Sequence, residues 1–265
     1  MNIMKLEAAS VLVLGGGKSG VSAVKFLLKK NALVMLYDGC AEKKPVYEEL
    51  AAAGCTFALG EVPDLAKHAF DFAVISPGIP LTDPCAAALA KHNIPIWGEL
   101  ELASRFITKP IIGITGTNGK TTTTTLIGEI LKNAGFRTFV GGNIGIPLLD
   151  SLEAEYDYYV VEMSSFQLET IATMNAAVSL FLNLTPDHLN RHGSMEGYLA
   201  AKANLCTHQS KDHYTVLNYD DAYMRSLRDI AGGEVFWFTQ EDFVYAGTSV
   251  LDNGDLVFND VQREP

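Results

Sequence analysis

Cysteine is scarce and badly spaced for metal work. Among Cys40, Cys55, Cys85 and Cys206 no two are separated by two residues, which excludes a zinc ribbon and a CxxC redox motif and leaves free thiols of a reducing cytosol. A basic excess is absent too. Lys and Arg number 20 against 31 Asp and Glu, a formal net charge of −11, so there is no cationic face for general nucleic-acid binding. A phosphate-bearing ligand stays open, because a glycine loop and one or two cations hold phosphate inside an acidic protein. No run is apolar enough to span a bilayer. The opening MNIMKLEAASVLVLGGG lacks the long apolar segment and cleavage site of a secretory leader, so a cytoplasmic protein without membrane or nucleic-acid partners is expected. What remains is an ordinary globular composition, 48% hydrophobic and 19% charged over 265 residues, enough for one or two domains.

Short apolar, β-branched runs alternate with helical patterns, the signature of a parallel α/β fold. Strands are expected at Ser10–Leu14, Leu33–Tyr37, Phe57–Leu59 and Phe72–Ile75, with helices at Val21–Lys30, Tyr47–Ala53 and Pro84–His92. A second unit opens near Lys109 and Pro110. It has strands at Ile111–Ile114, Tyr158–Glu162, Val178–Leu182 and Tyr214–Leu217, and helices at Thr123–Ala134 and Glu196–Thr207. Val244–Phe258 reads as a hairpin turning at Asp252-Asn253-Gly254-Asp255. The expected division is residues 1–107 and 108–265.

Each unit begins with strand, glycine loop and helix. The first loop, Gly15-Gly16-Gly17-Lys18-Ser19-Gly20, satisfies GxGxxG, and Asp38 ends the next strand at the spacing of a ribose-binding carboxylate. This fits NAD, another phosphate-bearing ligand, or a packing turn with no ligand. The second, Gly113-Ile114-Thr115-Gly116-Thr117-Asn118-Gly119-Lys120-Thr121-Thr122, departs from the strict P-loop only in Ile114. Its N–H groups suit a phosphate, Lys120 the β/γ charge and Thr121 a Mg²⁺ ion. The fold expected is therefore a doubly wound, Rossmann-like domain followed by a P-loop-type α/β ATPase domain.

Polar groups also fall at strand ends, where such folds place their sites. Glu162 reads equally as a Mg²⁺ ligand or as a capping acid beside Ser164. His188, after Asp187, reads as a structural histidine or a ligand. Lys202, on a helical stretch, reads as a solvated lysine.

Taken in order, Gly116-Thr117-Asn118-Gly119-Lys120-Thr121-Thr122, Gly142-Asn143-Ile144-Gly145, Glu162-Met163-Ser164-Ser165-Phe166-Gln167-Leu168-Glu169, Asn183 to Leu189 and Tyr198 to Lys202 resemble the segments of the Mur ligase family. The SSFQLE run and the first-domain GxGxxG together resemble its D-glutamate-adding branch rather than the folate-polyglutamylating relatives. The resemblance implies ATP-dependent joining of D-glutamate to UDP-N-acetylmuramoyl-L-alanine through an acyl phosphate, in peptidoglycan precursor synthesis, by a monomer. It implies that Gly116 to Thr122 bind ATP, with Lys120, His188 and Lys202 as the catalytic set. Thr121 and Glu162 would hold one Mg²⁺, and His188 with a carbamylated Lys202 a second. Lys18, Ser19, Asp38 and Ser76-Pro77-Gly78 would take the UDP, and Asn143, Ser164 and Gln167 the muramoyl-alanine end.

Two departures qualify it. Asn190 stands where the family has Asp, which removes a negative charge near the implied second metal. Family members also continue further, completing the ATP domain and adding an amino-acid-binding domain. On that reading the chain is a fragment that holds the UDP-sugar, binds ATP weakly and does not complete the ligation. The competing readings are an NAD(P)-dependent oxidoreductase and a non-catalytic UDP-sugar-binding module.

Overall fold

A computed structural model describes residues 5–42, 44–240, 246–250 and 254–259. The chain forms two compact units. Unit 1 is Met1–Thr108 with Ile146–Ala154 and Thr170–Ala172, and unit 2 is Lys109–Gly145, Glu155–Glu169 and Thr173–Pro265.

Unit 1 runs β1 (Ser10–Leu14), α1 (Lys18–Lys29), β2 (Leu33–Asp38), α2 (Val46–Ala52), β3 (Thr56–Leu59), β4 (Phe72–Ile75), α3 (Pro84–Lys91), β5 (Ile96–Gly98) and α4 (Glu99–Ser104). Its five strands are parallel, in the order β3-β2-β1-β4-β5. The central strands β1 and β4 are almost continuously buried, as expected where helices cover both faces of a parallel sheet. Leu12, Leu14, Ala73 and Ile75 of those strands pack with Cys85, Ala86 and Leu89 of α3. That helix starts sharply because the Asp83 side chain accepts from Cys85 N at 2.8 Å and Pro84 follows the cap.

Unit 2 runs β6 (Ile111–Thr115), α5 (Lys120–Asn133), β7 (Thr138–Gly142), β8 (Tyr158–Glu162), α6 (Ser165–Leu168), β9 (Val178–Phe181), α7 (Leu189–His192), α8 (Met195–Thr207), β10 (Tyr214–Asn218), α9 (Ala222–Arg225), β11 (Glu234–Phe238), β12 (Gly247–Val250) and β13 (Leu256–Asn259). Its eight-stranded sheet has the order β13-β12-β11-β10-β9-β6-β8-β7, parallel except for the pairing of β12 with β13. The expected hairpin is that antiparallel pair. Val244, Tyr245, Leu251 and the turn residues Asp252 and Asn253 lie outside the described residues.

The fold class is the α/β arrangement read from the sequence. The differences lie at element ends and in elements that were not expected. Helices α1 and α5 start at Lys18 and Lys120 rather than Val21 and Thr123, because a helix whose first turn faces a polar opening begins before its apolar periodicity does. The strands β5, β7 and β11 and the short helices α4, α6, α7 and α9 were not anticipated. β5 is three residues long, and α4 carries Glu99 and Glu101, which are nevertheless 3% and 0% exposed. Glu101 is neutralised by Arg105 at 2.7 Å, and that guanidinium lies 4.0 Å over Trp97. Cys55, Cys85 and Cys206 are buried free thiols pushed up to about 11, 12 and 12 by burial, and Cys40 is an exposed one. No described helix is long and apolar enough to cross a membrane.

Candidate functional site

In unit 2 the sheet order reverses at β6, which lies between β8 and β9. The carboxyl end of such a strand is where open α/β sheets bind ligands. The loop from Gly116 to Gly119 leaves β6 there. Gly116 and Gly119 have φ of 155° and 82°, backbone that side-chain-bearing residues avoid. A Cβ on Gly116 would also lie 2.9 Å from that of Leu182. Asn183, after β9, anchors the loop: its Oδ1 accepts from Thr117 N at 3.1 Å and Asn118 N at 2.9 Å, and its Nδ2 donates to Asn118 O at 3.1 Å. Thr117 is fastened to Thr185 through its hydroxyl. Those two loop N–H groups are spent on Asn183, so the first turn of α5 carries the positive helix end toward the opening. Lys120 Nζ donates to Gly116 O at 3.0 Å and Thr117 O at 2.9 Å, which sets its charge over the loop.

Next to Lys120, the Thr121 hydroxyl donates to Glu162 Oε2 at 2.8 Å, and Asn143 Nδ2 donates to Glu162 Oε1 at 2.7 Å. Glu162 is 1% exposed. Three residues from three separate sequence segments thus meet at one buried carboxylate. A hydroxyl and a carboxylate are hard oxygen donors of the kind Mg²⁺ takes, so Thr121 and Glu162 fit that ion. Among the described residues no group of three or more His, Cys, Asp and Glu gathers as a metal cluster. Any ion here would draw on phosphate and water oxygens, as Mg²⁺ in phosphate sites does.

Lys202 corrects the solvated-lysine reading. Its side chain is 1% exposed, its Nζ donates to Gly116 O at 2.9 Å and Thr115 Oγ1 at 3.3 Å, and it sits 4.6 Å over the Tyr198 ring. Burial, helped by the neighbouring Lys120 charge, lowers it to about 7, so much of the population is neutral amine at neutral pH. Tyr198, which sequence reading passed over, is 2% exposed, stacks on His192 at 5.0 Å and reaches Thr117 Oγ1 at 3.3 Å. Tyr198 and Lys202 occur at i and i+4 of α8, the spacing that puts both on one helix face. That was the available signal.

His188 caps α7 with φ of 51° and ψ of 26° and keeps its ring partly exposed beside Asp187, at 3.4 Å. Ser164 and Gln167 form a reciprocal capping box on α6, Gln167 N donating to Ser164 Oγ and Ser164 N to Gln167 Oε1. Their first role is therefore to start that helix. Asn190 lies exposed on α7.

In unit 1 the reversal falls at β1, between β2 and β4. Lys18 and Ser19 open α1 above it, and Ser76 after β4 donates to Gly15 O at 3.2 Å, which places the Ser76-Pro77-Gly78 turn beside the glycine loop. Asp38 is saturated. Its carboxylate accepts from Gly16 N, Cys40 N, Lys44 Nζ and Tyr47 Oη at 3.1, 3.1, 2.7 and 2.6 Å. Burial opposes its charge, but the donors, Lys44 foremost, outweigh burial and hold the acid well below the usual carboxylate range. The oxidoreductase reading needed this carboxylate for a ribose; here it ties α2 to the glycine loop. Gly17 has open space where its Cβ would stand, and with Lys18 and Ser19 it forms the open part of the loop.

Two family models match the chain, one over each end of it. The model described as Mur ligase middle domain matches residues 114–251, and that described as Mur ligase MurD-like, N-terminal domain matches residues 9–98. The chain is 47% identical over 247 residues to the UDP-N-acetylmuramoylalanine--D-glutamate ligase of Pelotomaculum thermopropionicum, covering 91% of this chain and 54% of that protein. It is 42% identical over 261 residues to the ligase of the same name from Caldicellulosiruptor saccharolyticus, covering 96% and 57%. The chain thus spans slightly more than half the length of these curated relatives. Among solved structures, UDP-N-acetylmuramate:L-alanyl-gamma-D-glutamyl-meso-diaminopimelate ligase from Neisseria meningitides aligns with a TM-score of 0.59 at 17% identity, over 94% of this chain and 84% of that one. A murein peptide ligase from Psychrobacter arcticus 273-4 aligns at 0.54 and 16%, over 96% and 59%. These two share the fold.

Proposed function

The chain belongs to the Mur ligase family, and from that premise we propose that the protein adds D-glutamate to UDP-N-acetylmuramoyl-L-alanine at the expense of ATP, in the cytoplasm. The observation that carries the proposal is the meeting of Thr121 with the buried carboxylate of Glu162 beside Lys120, at the mouth of the glycine loop that follows β6, where the strand order of unit 2 reverses.

The chemistry explains why such a loop is needed. A carboxylate is a poor electrophile until one oxygen becomes part of a leaving group. Its oxygen takes the γ-phosphoryl of ATP, forming an acyl phosphate and ADP. The D-glutamate amine then attacks the carbonyl carbon, the carbon–oxygen bond to phosphate breaks, and the nitrogen gives up a proton. Lys120 neutralises charge on the β- and γ-phosphates, and the amino end of α5 adds its dipole. Thr121 and Glu162 would hold a first Mg²⁺, and His188 with Lys202 a second. The ions supply charge neutralisation on the transferring phosphoryl.

For Lys202 to serve as a ligand, its neutral nitrogen bonds the carbon of CO₂ and one proton leaves, giving a carbamate. The lowered basicity of this buried amine supports that step. In unit 1, Lys18, Ser19, Gly17 and the Ser76-Pro77-Gly78 turn take the uridine diphosphate, with Asp38 acting through the loop it holds. In unit 2, Asn143 faces the muramoyl-alanine end beside Glu162, and Ser164 and Gln167 shape the segment that faces it.

The test is phosphate release from ATP. In a protein of its relatives' full length, release that requires both UDP-N-acetylmuramoyl-L-alanine and D-glutamate is expected. Release driven equally by L-glutamate or another amino acid would reassign the acceptor, and binding of the sugar nucleotide without release would favour the non-catalytic module.

A further inference from the structure

We propose that Phe166 and Glu169 are positioning residues for His188, acting through a clamp between α6 and α7. The inference rests on the reading of His188 as a metal ligand. Helix α7 has four residues, none of them buried, and its cap His188 has no side-chain capping bond. A helix this short has no stability of its own. His188 also sits in the left-handed region at φ 51°, a conformation that a non-glycine residue keeps only where its surroundings impose it.

The structure shows what imposes it. His188, Arg191 and His192, at i, i+3 and i+4, close around one ring: Phe166 lies 4.8 Å from the His188 ring, 5.1 Å from the Arg191 guanidinium carbon and 5.5 Å from the His192 ring. Behind that ring an ionic lock holds the two helices together. Arg191 donates to both Glu169 oxygens, from Nε at 3.2 Å each and from Nη2 at 2.6 Å. His192 Nδ1 stands 3.3 Å from Glu169 Oε1, and its Nε2 is 2.9 Å from Ser165 Oγ. The Arg191 and Glu169 side chains are 15% and 16% exposed, so solvent screens this pair less than a surface one. The two helices that carry Ser164, Gln167 and His188 are thereby fixed to each other through Phe166, Glu169, Arg191 and His192. Outer groups of this kind orient the ligating imidazole.

The test has two readouts. One is the proton NMR spectrum of the histidine rings, with the His188 signals identified by their loss in His188→Gln. The other is Mn²⁺ binding followed by electron paramagnetic resonance with a non-hydrolysable ATP analogue. In the wild type the His188 ring protons are expected to be ring-current shifted and two Mn²⁺ ions to bind. Glu169→Gln and Phe166→Leu should move those signals to random-coil positions and weaken the second Mn²⁺ about tenfold, leaving the first unchanged. Phe166→Tyr should restore both. Glu169→Gln, which keeps the shape of the side chain, carries the test if Phe166→Leu does not fold. Wild-type signals and affinities in Glu169→Gln would overturn the proposal. A wild type that binds one Mn²⁺, while the His188 signals respond as expected, would contradict the metal reading of His188 and uphold its positioning by the clamp.

Discussion

The two glycine loops share a plan of strand, turn and helix and use it for opposite ends. In unit 1 most of the glycines make room for the protein itself. A Cβ on Gly16 would stand 1.7 Å from the Tyr47 hydroxyl, and one on Gly20 1.8 Å from Gly15 O. The missing side chains admit α2 and bring α1 close against the turn, and only Gly17, Lys18 and Ser19 are left facing outward. In unit 2 the loop is pinned from outside by Asn183 and Thr185, and two lysine amines converge on one carbonyl: Lys120 and Lys202 both donate to Gly116 O. One loop is built around an internal anion, Asp38, and the other sets the Lys120 ammonium and the amino end of α5 at its opening, which suits a ligand anion. A glycine count does not distinguish them; what occupies the space above each glycine does.

The largest effect should come from unit 2. Lys120→Ala and Glu162→Gln are each expected to lower phosphate release about a hundredfold or more, read as kcat/KM. A near-normal rate in both would remove the phosphate reading of that loop. In unit 1 the corresponding break is structural. Gly16→Ala should cost about 2 kcal/mol through overpacking against Tyr47, measured by urea unfolding, and should cost less in a Tyr47→Phe background, where the hydroxyl it meets is gone. An unaltered midpoint in Gly16→Ala would mean that Tyr47 does not fill that space.

A comparable effect, dependent on pH, concerns Glu99. It is buried, its Oε1 accepts from Leu149 N at 2.5 Å and its Oε2 has no partner among the described residues. Burial raises it to about 7. The folded protein therefore holds a proton that the unfolded chain releases between about 4.5 and 7, and stability falls as pH rises through that window. Glu99→Gln mimics the protonated form. It should match wild type at pH 4 and exceed it at pH 8 by on the order of 2 kcal/mol, as thermal midpoints would show. Equal midpoints at both pH values would mean that Glu99 ionises freely in the fold.

The smallest effect is expected at Asp38. Asp38→Asn keeps the Gly16 contact but weakens the Lys44 ion pair, so it should weaken sugar-nucleotide binding only about threefold, through the loop, at about 1 kcal/mol or less. A loss of a hundredfold would show that the carboxylate itself touches ligand.

How much of this was legible varies with the kind of signal. The strands β1, β4, β6 and β8 were readable because buried parallel strands are unbroken apolar runs. The starts of α1 and α5 were displaced because their first turns are polar for the sake of the site. Segment 146–154 packs in unit 1, a tertiary choice that leaves no periodicity. Lys202 and Glu99 show the limit most clearly. Composition rules place charged residues outside, and both are buried, Lys202 at a site and Glu99 against a backbone N–H. Only the resemblance singled out Lys202, and no sequence signal singled out Asn183, whose hydrogen bonds to the loop depend on β9 lying next to β6.

The most direct test of the account is calorimetric titration of this chain with UDP-N-acetylmuramoyl-L-alanine in Mg²⁺ buffer, with NADH as the second ligand. The packing of Tyr47 and Asp38 into the first glycine loop predicts saturable binding of the sugar nucleotide and no heat from NADH. Saturable NADH binding with the sugar nucleotide silent would contradict it.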